Sequence, residues 1–409
     1  MSMMNTSNNF EFRPAKAEEM KDFFKLERYV FADNSTPSED EENENPLRPE
    51  MTTVAFHKGK MVATSAGLPF RMKFDGTTIR VDGVTSVGTD PAYRRRGLVR
   101  ELITSRLHEA HEKQIAASIL WASLGAIYQR FGYGLATTSQ RYTFDPHLVG
   151  FQFDEKLEGE CIRMEKEDAM PILLELHEKY ISDKNLHLHR LQAYWQHIYF
   201  GKKSKHHVVL HRNANGEPDG YCTYTLTEAR GKIPGLDQTI DVREMVYMNR
   251  NAYRAMWEYI RTHDLVMEVK MWAPQDDPLL LMLLEPRSLR SQWNDGIWLR
   301  IVDIVQFAKS RTYARTGIVS FEIAEDRECP WNIGKYKIDF DGKQVKVTKV
   351  NGEVDFQIGI NGLPTLLCGH SPLSLIANSG RACVLNSKKL SEMDHFFTTR
   401  HKPYCPDNF

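Results

Sequence analysis

Three arginines stand in a row at residues 94–96 and are followed at once by Gly97, within YRRRGLVRELI. Ahead of them GVTSVGT reads as a strand. Behind them Leu98, Val99, Leu102, Ile103, Leu107 and Ala110 recur with helical spacing, which predicts a helix over 97–113. A helix start offers free backbone N–H groups and the positive end of its dipole to an anion. Glycine, lacking a Cβ, lets a ligand approach the backbone, and arginine adds charge-assisted hydrogen bonds. A pyrophosphate suits that chemistry, although a solvated basic helix start would carry the same residues. The sequence has neither the G-x-x-x-x-G-K-[ST] string of a P-loop nor G-x-G-x-x-G after a first strand.

The elements that must hold this turn follow from pattern. FEFRPA reads as a strand and 18–31 as an amphipathic helix. The polar run ADNSTPSEDEENENPLRPE, with Pro37, Pro46 and Pro49, predicts a mobile loop. Val54/Phe56 and Met61/Ala63 flank KGK as a hairpin, IAASILWA reads as a buried strand, and GAIYQRFGYG as a turn out of it. A second unit opens near Phe151, with helices over 169–181 and 191–199. It continues with strands at HHVVLHR, DGYCTYTLTEA and IDVREMVYM, a helix over 252–263 and a strand over 265–272. That order repeats the first unit and predicts an internal duplication. A third unit opens at DGIWLRIVDIVQFAKSRTY. It gives strands at GIVSFEIAE, YKIDFDG, KQVKVTKVNG and VDFQIGI, then helices over 362–369, 372–377 and 387–397. The tail RHKPYCPDNF has no regular pattern. The class is α/β (α+β), with units at 1–147, 148–295 and 296–409.

Composition bounds the rest. The 409 residues exceed one ordinary core, and 41% of them are apolar, enough for several. Basic residues number 53 and acidic residues 54, so net charge gives no reason to expect nucleic acid or an anionic membrane as partner. Six scattered cysteines fit a reducing compartment. The start MSMMNTSNNFEFRP lacks the layout of a signal peptide and no apolar run is long enough to span a bilayer, so a soluble, cytoplasmic protein is expected. His187, His189, His197, His206, His207 and His211 match no metal-ligand spacing and are expected at the surface, with no metal.

Arg94-x-x-Gly97-x-Val99 is similar to the R/Q-x-x-G-x-G/A loop of GNAT-type N-acetyltransferases, which holds the coenzyme A pyrophosphate; Val99 departs from that pattern. RRRGLVR together with ASxGxIYxRFGYGxAT closely resembles the Eis (enhanced intracellular survival) acetyltransferases. The likeness runs the length of the chain through PQDDPLL, WNDGIWLRI and the final Phe. It implies two fused GNAT domains and a domain like sterol carrier protein 2. It also implies acetyl-CoA as co-substrate, an amine acceptor (aminoglycoside-like, polyamine or lysine) and a homohexamer.

By the same resemblance Val87, Gly88 and Thr89 line the pantetheine arm through their backbone. Arg95, Arg96, Gly97, Leu98, Val99 and Arg100 hold the pyrophosphate, and Ser123 and Leu124 lie across the cofactor, Leu124 replacing an acidic residue of the family. Tyr128 becomes the general acid, since a phenol of ordinary pKa about 10 is protonated at neutral pH. Read from the residues alone it is an ordinary packed aromatic. The resemblance makes the C-terminal carboxylate of Phe409 the general base, charged at neutral pH with a pKa of about 3.5. An ordinary chain end frays. Asn408 stands where the family has an acid, with Asp407 one step earlier. Asp33, at the edge of the acidic loop, and Asp407 are the candidate acceptor-binding acids, the loop itself reading equally as a solvated connector. MNRNAYRAMWEYI in the second unit has no glycine or arginine cluster, so that unit is expected to bind no coenzyme A. The third unit could hold a lipid, or brace the assembly and deliver Phe409. A lipid- or ligand-binding scaffold with vestigial activity is the alternative function.

Overall fold

The computed structural model describes residues 10–34, 45–201, 204–233 and 235–409. The stretch 35–44, which holds most of the expected acidic loop, lies outside them.

The first unit opens with β1 (Phe10–Arg13) and α1 (Met20–Val30), whose Phe23 and Phe24 are buried. The hairpin β2 (Thr52–His57) and β3 (Lys60–Phe74) turns at Lys58 and Gly59, both at positive φ (51° and 79°), a turn whose twist matches the strands it joins. Strand β4 (Thr77–Thr89), helix α2 (Leu98–Glu112) and strand β5 (Ala117–Trp121) follow. Leu98, Leu102, Ile103, Leu107 and Ala110 are the buried stripe of α2, as their spacing predicts. Where only a turn was expected, 125–129 forms a short helix, α3 (Gly125–Gln129), before β6 (Gly134–Leu135) and β7 (Thr138–Phe144).

The second unit consists of β8 (Glu160–Met164), α4 (Lys166–Ile181), β9 (His207–Arg212), β10 (Pro218–Ile233), β11 (Leu236–Tyr247), α5 (Arg250–Arg261) and β12 (Val266–Ala273). Element for element this repeats β1, α1, β2, β3, β4, α2, β5. The strands also neighbour one another in the same order, with β4 parallel to β5 and β11 parallel to β12. The helix expected over 191–199 is a single π-helical turn, Tyr194–Tyr199. After α6 (Leu279–Met282) come β13 (Arg290–Asp295) and β14 (Ile297–Ile301).

The units exchange strands. β7, from before residue 147, lies between β12 and β13 in the second sheet. β14, from after residue 296, lies between β5 and β6 in the first. The divisions at 147/148 and 295/296 therefore mark positions along the chain and not gaps between sheets.

The third unit runs through α7 (Ile304–Lys309), β15 (Gly317–Ile323), β16 (Gly334–Phe340), β17 (Val345–Lys349), β18 (Phe356–Ile358), α8 (Leu363–Leu367), α9 (Leu373–Asn378), β19 (Ala382–Val384) and α10 (Leu390–Phe396). Its sheet runs β17-β16-β15-β18-β19. One apolar cluster joins it to the first unit, from Met72 and Phe74 through Ile297 and Leu299 to Phe321 and Leu366. The buried Arg300 of β14 donates to Asp326 of the third unit at 2.5 Å. Among the described residues no helix is long and apolar enough to cross a membrane.

The histidines depart from expectation. His187 and His211 are buried, and burial pushes His187 down to about 3. His211 Nδ1 meets Asp219 at 2.5 Å. His189, His206 and His207 are half-buried, and the side chain of His197 lies outside the description.

Candidate active site

Strands β4 and β5 share a parallel ladder at Val81–Gly83 and Ala117–Ile119 only, although β4 continues to Thr89 and β5 to Trp121. The cause lies in β4. Ser86 sits at φ +55° and the β3–β4 register shifts between Thr64 and Ala66, a bulge that bends the strand away. Thr64 donates to the Ser86 carbonyl at 2.8 Å and fixes the bulge. Val87, Gly88 and Thr89 form the end of β4 beyond the ladder. A Cβ added at Gly88 would come within 3.1 Å of Thr64 Oγ1. Thr89 is buried, and its hydroxyl has no hydrogen-bond partner among the described residues. Buried polar groups are nearly always bonded, so this hydroxyl suits a polar ligand.

From there the chain enters the arginine turn. Arg94 Nε donates to Thr89 O at 3.3 Å, and Arg96 donates to Ala92 O at 3.1 Å while lying over the Tyr93 ring. Arg95 takes φ +63° and points its exposed guanidinium to no hydrogen-bond or ion-pair partner among the described residues. Gly97 is the N-cap of α2 at φ +84° with no side-chain cap, and an added Cβ would meet nothing within 4 Å. Glycine is needed there for backbone conformation, and the first N–H groups of α2 stay uncapped. Leu98 is buried and Val99 half-buried, so each offers a ligand its backbone only. Arg100 differs from expectation: its guanidinium ion-pairs with Glu328 of the third unit, which also accepts from Thr104 at 2.6 Å. Its charge serves the contact between units.

Ser123 and Leu124 follow the end of β5, both exposed, with Leu124 as N-cap of α3. Tyr128 on α3 is buried and packs among Val84, Ile103, Leu120 and Tyr133. Burial raises its phenol above the ordinary value, opposed by a hydrogen bond with Ser123.

The chain end reaches the same sheet from the other side. The Phe409 ring meets Phe70 at 4.9 Å, and a Cβ on Gly83 would lie 3.2 Å from it. Val84 belongs to the cluster of Tyr128, while its neighbour Gly83 faces Phe409. Adjacent strand residues point to opposite faces, so Tyr128 and Phe409 flank β4 where the ladder with β5 ends. Asp407 is drawn elsewhere. It is 2% exposed and accepts from Arg190 Nε at 2.7 Å and Tyr194 at 3.0 Å, while its carbonyl accepts from Trp121 Nε1 at 2.8 Å. That carboxylate anchors the tail and does not open to solvent.

Asp33 is exposed just beyond α1. One residue nearby escaped the sequence reading. Glu27 of α1 accepts from the hydroxyl of Ser86 at the bulge, and burial raises its carboxyl against that hydrogen bond. Its helical position carried no signal, because only the fold brings α1 over β4. Among the described residues no three His, Cys, Asp or Glu side chains gather as a metal site.

Residues 11–136 and 186–301 each match an acetyltransferase (GNAT) domain family, and residues 304–406 match the sterol carrier protein domain. An uncharacterized N-acetyltransferase of Streptomyces avermitilis is 25% identical, covering 99% of this chain and 100% of its own. The N-acetyltransferase Eis of Mycobacterium tuberculosis is 25% identical over 78% of each chain. In fold, the chain superposes on Eis1 of Mycobacterium abscessus with a TM-score of 0.85 at 23% identity, covering 98% of this chain and 100% of that one. A GCN5-related N-acetyltransferase of Anabaena variabilis gives 0.86 at 22%, with the same coverage.

Proposed function

For a chain that belongs to the GNAT acetyltransferases, with two such domains ahead of a sterol carrier protein domain, we propose that the first unit holds the one active site, moving acetyl from acetyl-CoA to an amine of a cationic acceptor of the aminoglycoside, polyamine or lysine kind. The observation that carries this reading is the meeting of three features at one strand end. These are the uncapped start of α2 at Gly97, the parting of β4 from β5, and the placement of Tyr128 and Phe409 on opposite faces of β4.

Arg95 and Arg96 with the N–H groups of Gly97, Leu98 and Val99 bind the pyrophosphate. Val87, Gly88 and Thr89 offer backbone and hydroxyl to the pantetheine arm, with Ser123 and Leu124 across from them. The acceptor nitrogen attacks the thioester carbonyl and the carbon–sulfur bond breaks. Tyr128 gives its phenolic proton to the departing thiolate, and burial, by raising that phenol, keeps the proton in place until then. The Phe409 carboxylate takes the proton that the acceptor nitrogen sheds. Asp33 adds negative charge at the approach, which steers a cation.

Five large apolar side chains of the second unit, Leu148, Phe153, Leu280, Leu281 and Leu284, are 42–81% exposed. Leu284 N–H donates to the Gly150 carbonyl at 2.8 Å, so the segments that carry Leu148 and Leu284 lie side by side. Such a patch suits burial against further copies of the chain, and a homohexamer is the assembly we expect. A cleft of the third unit is lined mainly by polar groups, Glu322, Lys335, Asp355 and Lys388 among them, with Val354 and Leu385 as its apolar part.

Calorimetry with acetyl-CoA should return one site per chain, lost when Arg95→Glu is combined with Gly97→Asp. A panel of aminoglycosides, polyamines and lysine peptides then identifies the acceptor. Undiminished binding in the double variant, or no amine acetylated, would refute the assignment. Sedimentation of the intact chain tests the hexamer.

A further inference from the structure

The two copies of one strand arrangement end differently. In the first, β4 and β5 part beyond Gly83 and Ile119, and α2 starts uncapped. In the second, β11 and β12 stay paired through Val242 and Met271 and then part in the same way, beside a register shift at Thr223/Tyr224. Here α5 starts at Asn249, whose side chain accepts from Ala252 N at 2.9 Å. That cap takes up one of the free N–H groups that in α2 remain open to an anion.

The parted ends of β11 and β12 receive the tail of the chain. Tyr404 and Pro406 line a small cavity together with Glu244, Tyr247, Trp272 and Asp277. The Tyr404 hydroxyl donates to Trp272 O at 3.3 Å and its N–H to Asn185 O at 3.0 Å. Arg190 then clasps Glu244 of β11 with two bonds, 2.8 and 2.7 Å, and Asp407 with a third of 2.7 Å. Trp121, at the end of β5, holds Asp407 O from the catalytic side. Residues 404–407 are thus stitched into the second unit, and Phe409 lies on the sheet of the first. Two further residues of chain, at ~3.3–3.6 Å each, leave Phe409 little freedom once Asp407 is fixed.

We propose that the second unit is a socket for the chain end: the tail occupies the strand gap that corresponds to the cofactor gap of the first unit, and Arg190, Glu244 and Tyr404 are positioning residues for the Phe409 carboxylate. This rests on Phe409 acting as the base. It gives the duplicated unit a part in the reaction without a cofactor of its own.

The test uses the full chain, a chain ending at His401, and the variants Tyr404→Ala, Arg190→Lys and Arg190→Met. Loss of the tail should lower kcat by roughly 10²–10⁴-fold, the worth of a general base, and leave the acetyl-CoA Kd unchanged. The peptide KPYCPDNF added to the shortened chain should restore turnover saturably, and the same peptide with Ala for Tyr should not. Tyr404→Ala should cost roughly 10²-fold in kcat, as a ~1 Å misplacement does, again at constant Kd. Arg190→Lys should recover part of what Arg190→Met loses. Normal turnover in the shortened chain would overturn the terminal base and with it the socket. If the shortened chain is inactive while Tyr404→Ala and Arg190→Met turn over normally, the socket alone falls. Should the shortened chain not fold, Tyr404→Ala decides by the same split between kcat and Kd.

Discussion

Arg190 meets two carboxylates in a site closed to water. It is 6% exposed, Glu244 is 8% and Asp407 is 2%. One cation cannot neutralise two anions, and the acids divide the burden unequally. Burial alone would raise Glu244, but the charge and paired bonds of Arg190 outweigh it and bring Glu244 down from 4.5 to about 2. Burial raises Asp407, and the nearby charge of Glu244 adds to it against the pull of Arg190. Because the folded pKa of Asp407 lies above its unfolded value, its contribution is full below the ordinary carboxylate range and is lost as pH rises through the raised value. Glu244 runs oppositely, contributing above 4.5 and losing that as pH falls towards about 2. Asp407→Asn keeps an acceptor for Arg190 and Tyr194 while removing the surplus anion. It should change stability little in mild acid and be relatively favourable as pH rises. Arg190→Met strands Glu244 and Asp407 together and should cost roughly 3–5 kcal/mol. Urea unfolding from about pH 5 to pH 9, with hydrogen exchange of the tail amides, measures both effects. If Asp407→Asn costs as much as Arg190→Met at every pH, Asp407 is a fully ionised equal partner and the unequal division is wrong.

Three further outcomes follow from the site. Tyr128→Phe should lower kcat by roughly 10²-fold or more, with acetyl-CoA affinity intact in calorimetry; a matching loss of affinity would make Tyr128 a packing residue. Gly97→Ala places its Cβ in open space, so its cost is the left-handed backbone, roughly 1–2 kcal/mol by thermal melt, with acetyl-CoA binding weakened as well. Arg95→Gln should weaken acetyl-CoA by roughly 1.5–3 kcal/mol at unchanged Tm, whereas Arg100→Gln should lower Tm by stranding Glu328 and leave the cofactor Kd nearly alone; the reverse pattern would exchange their roles.

Legibility tracked distance along the chain. The arginine turn was readable because everything it needs, strand end, glycine and helix start, lies within a few residues. The duplication was readable because order of elements survives when residue identity does not. The strand exchange was not, since nothing local in β7, or in the wholly buried run of β14, names their partners. Arg190 is 54 residues from Glu244 and 217 from Asp407, and no periodicity links them. The tail lacked pattern because side-chain bonds hold it in place of a ladder. His187 and His211 looked like surface residues until the fold enclosed them. Arg100 matched the loop string, and only the fold brought Glu328 to it.

The insertion of β14 between β5 and β6 sets an order on synthesis. The first sheet lacks an interior strand until residue 301 has left the ribosome, and by then the whole second unit has emerged. The edge of β5 must wait through that interval with unpaired N–H and C=O groups, the kind of edge that pairs with a neighbouring chain. β7 ties the second sheet back to the first in the same way. Each copy of the duplicated unit thus completes its sheet with a strand from outside itself, so cutting the chain between the copies would open an edge in both sheets.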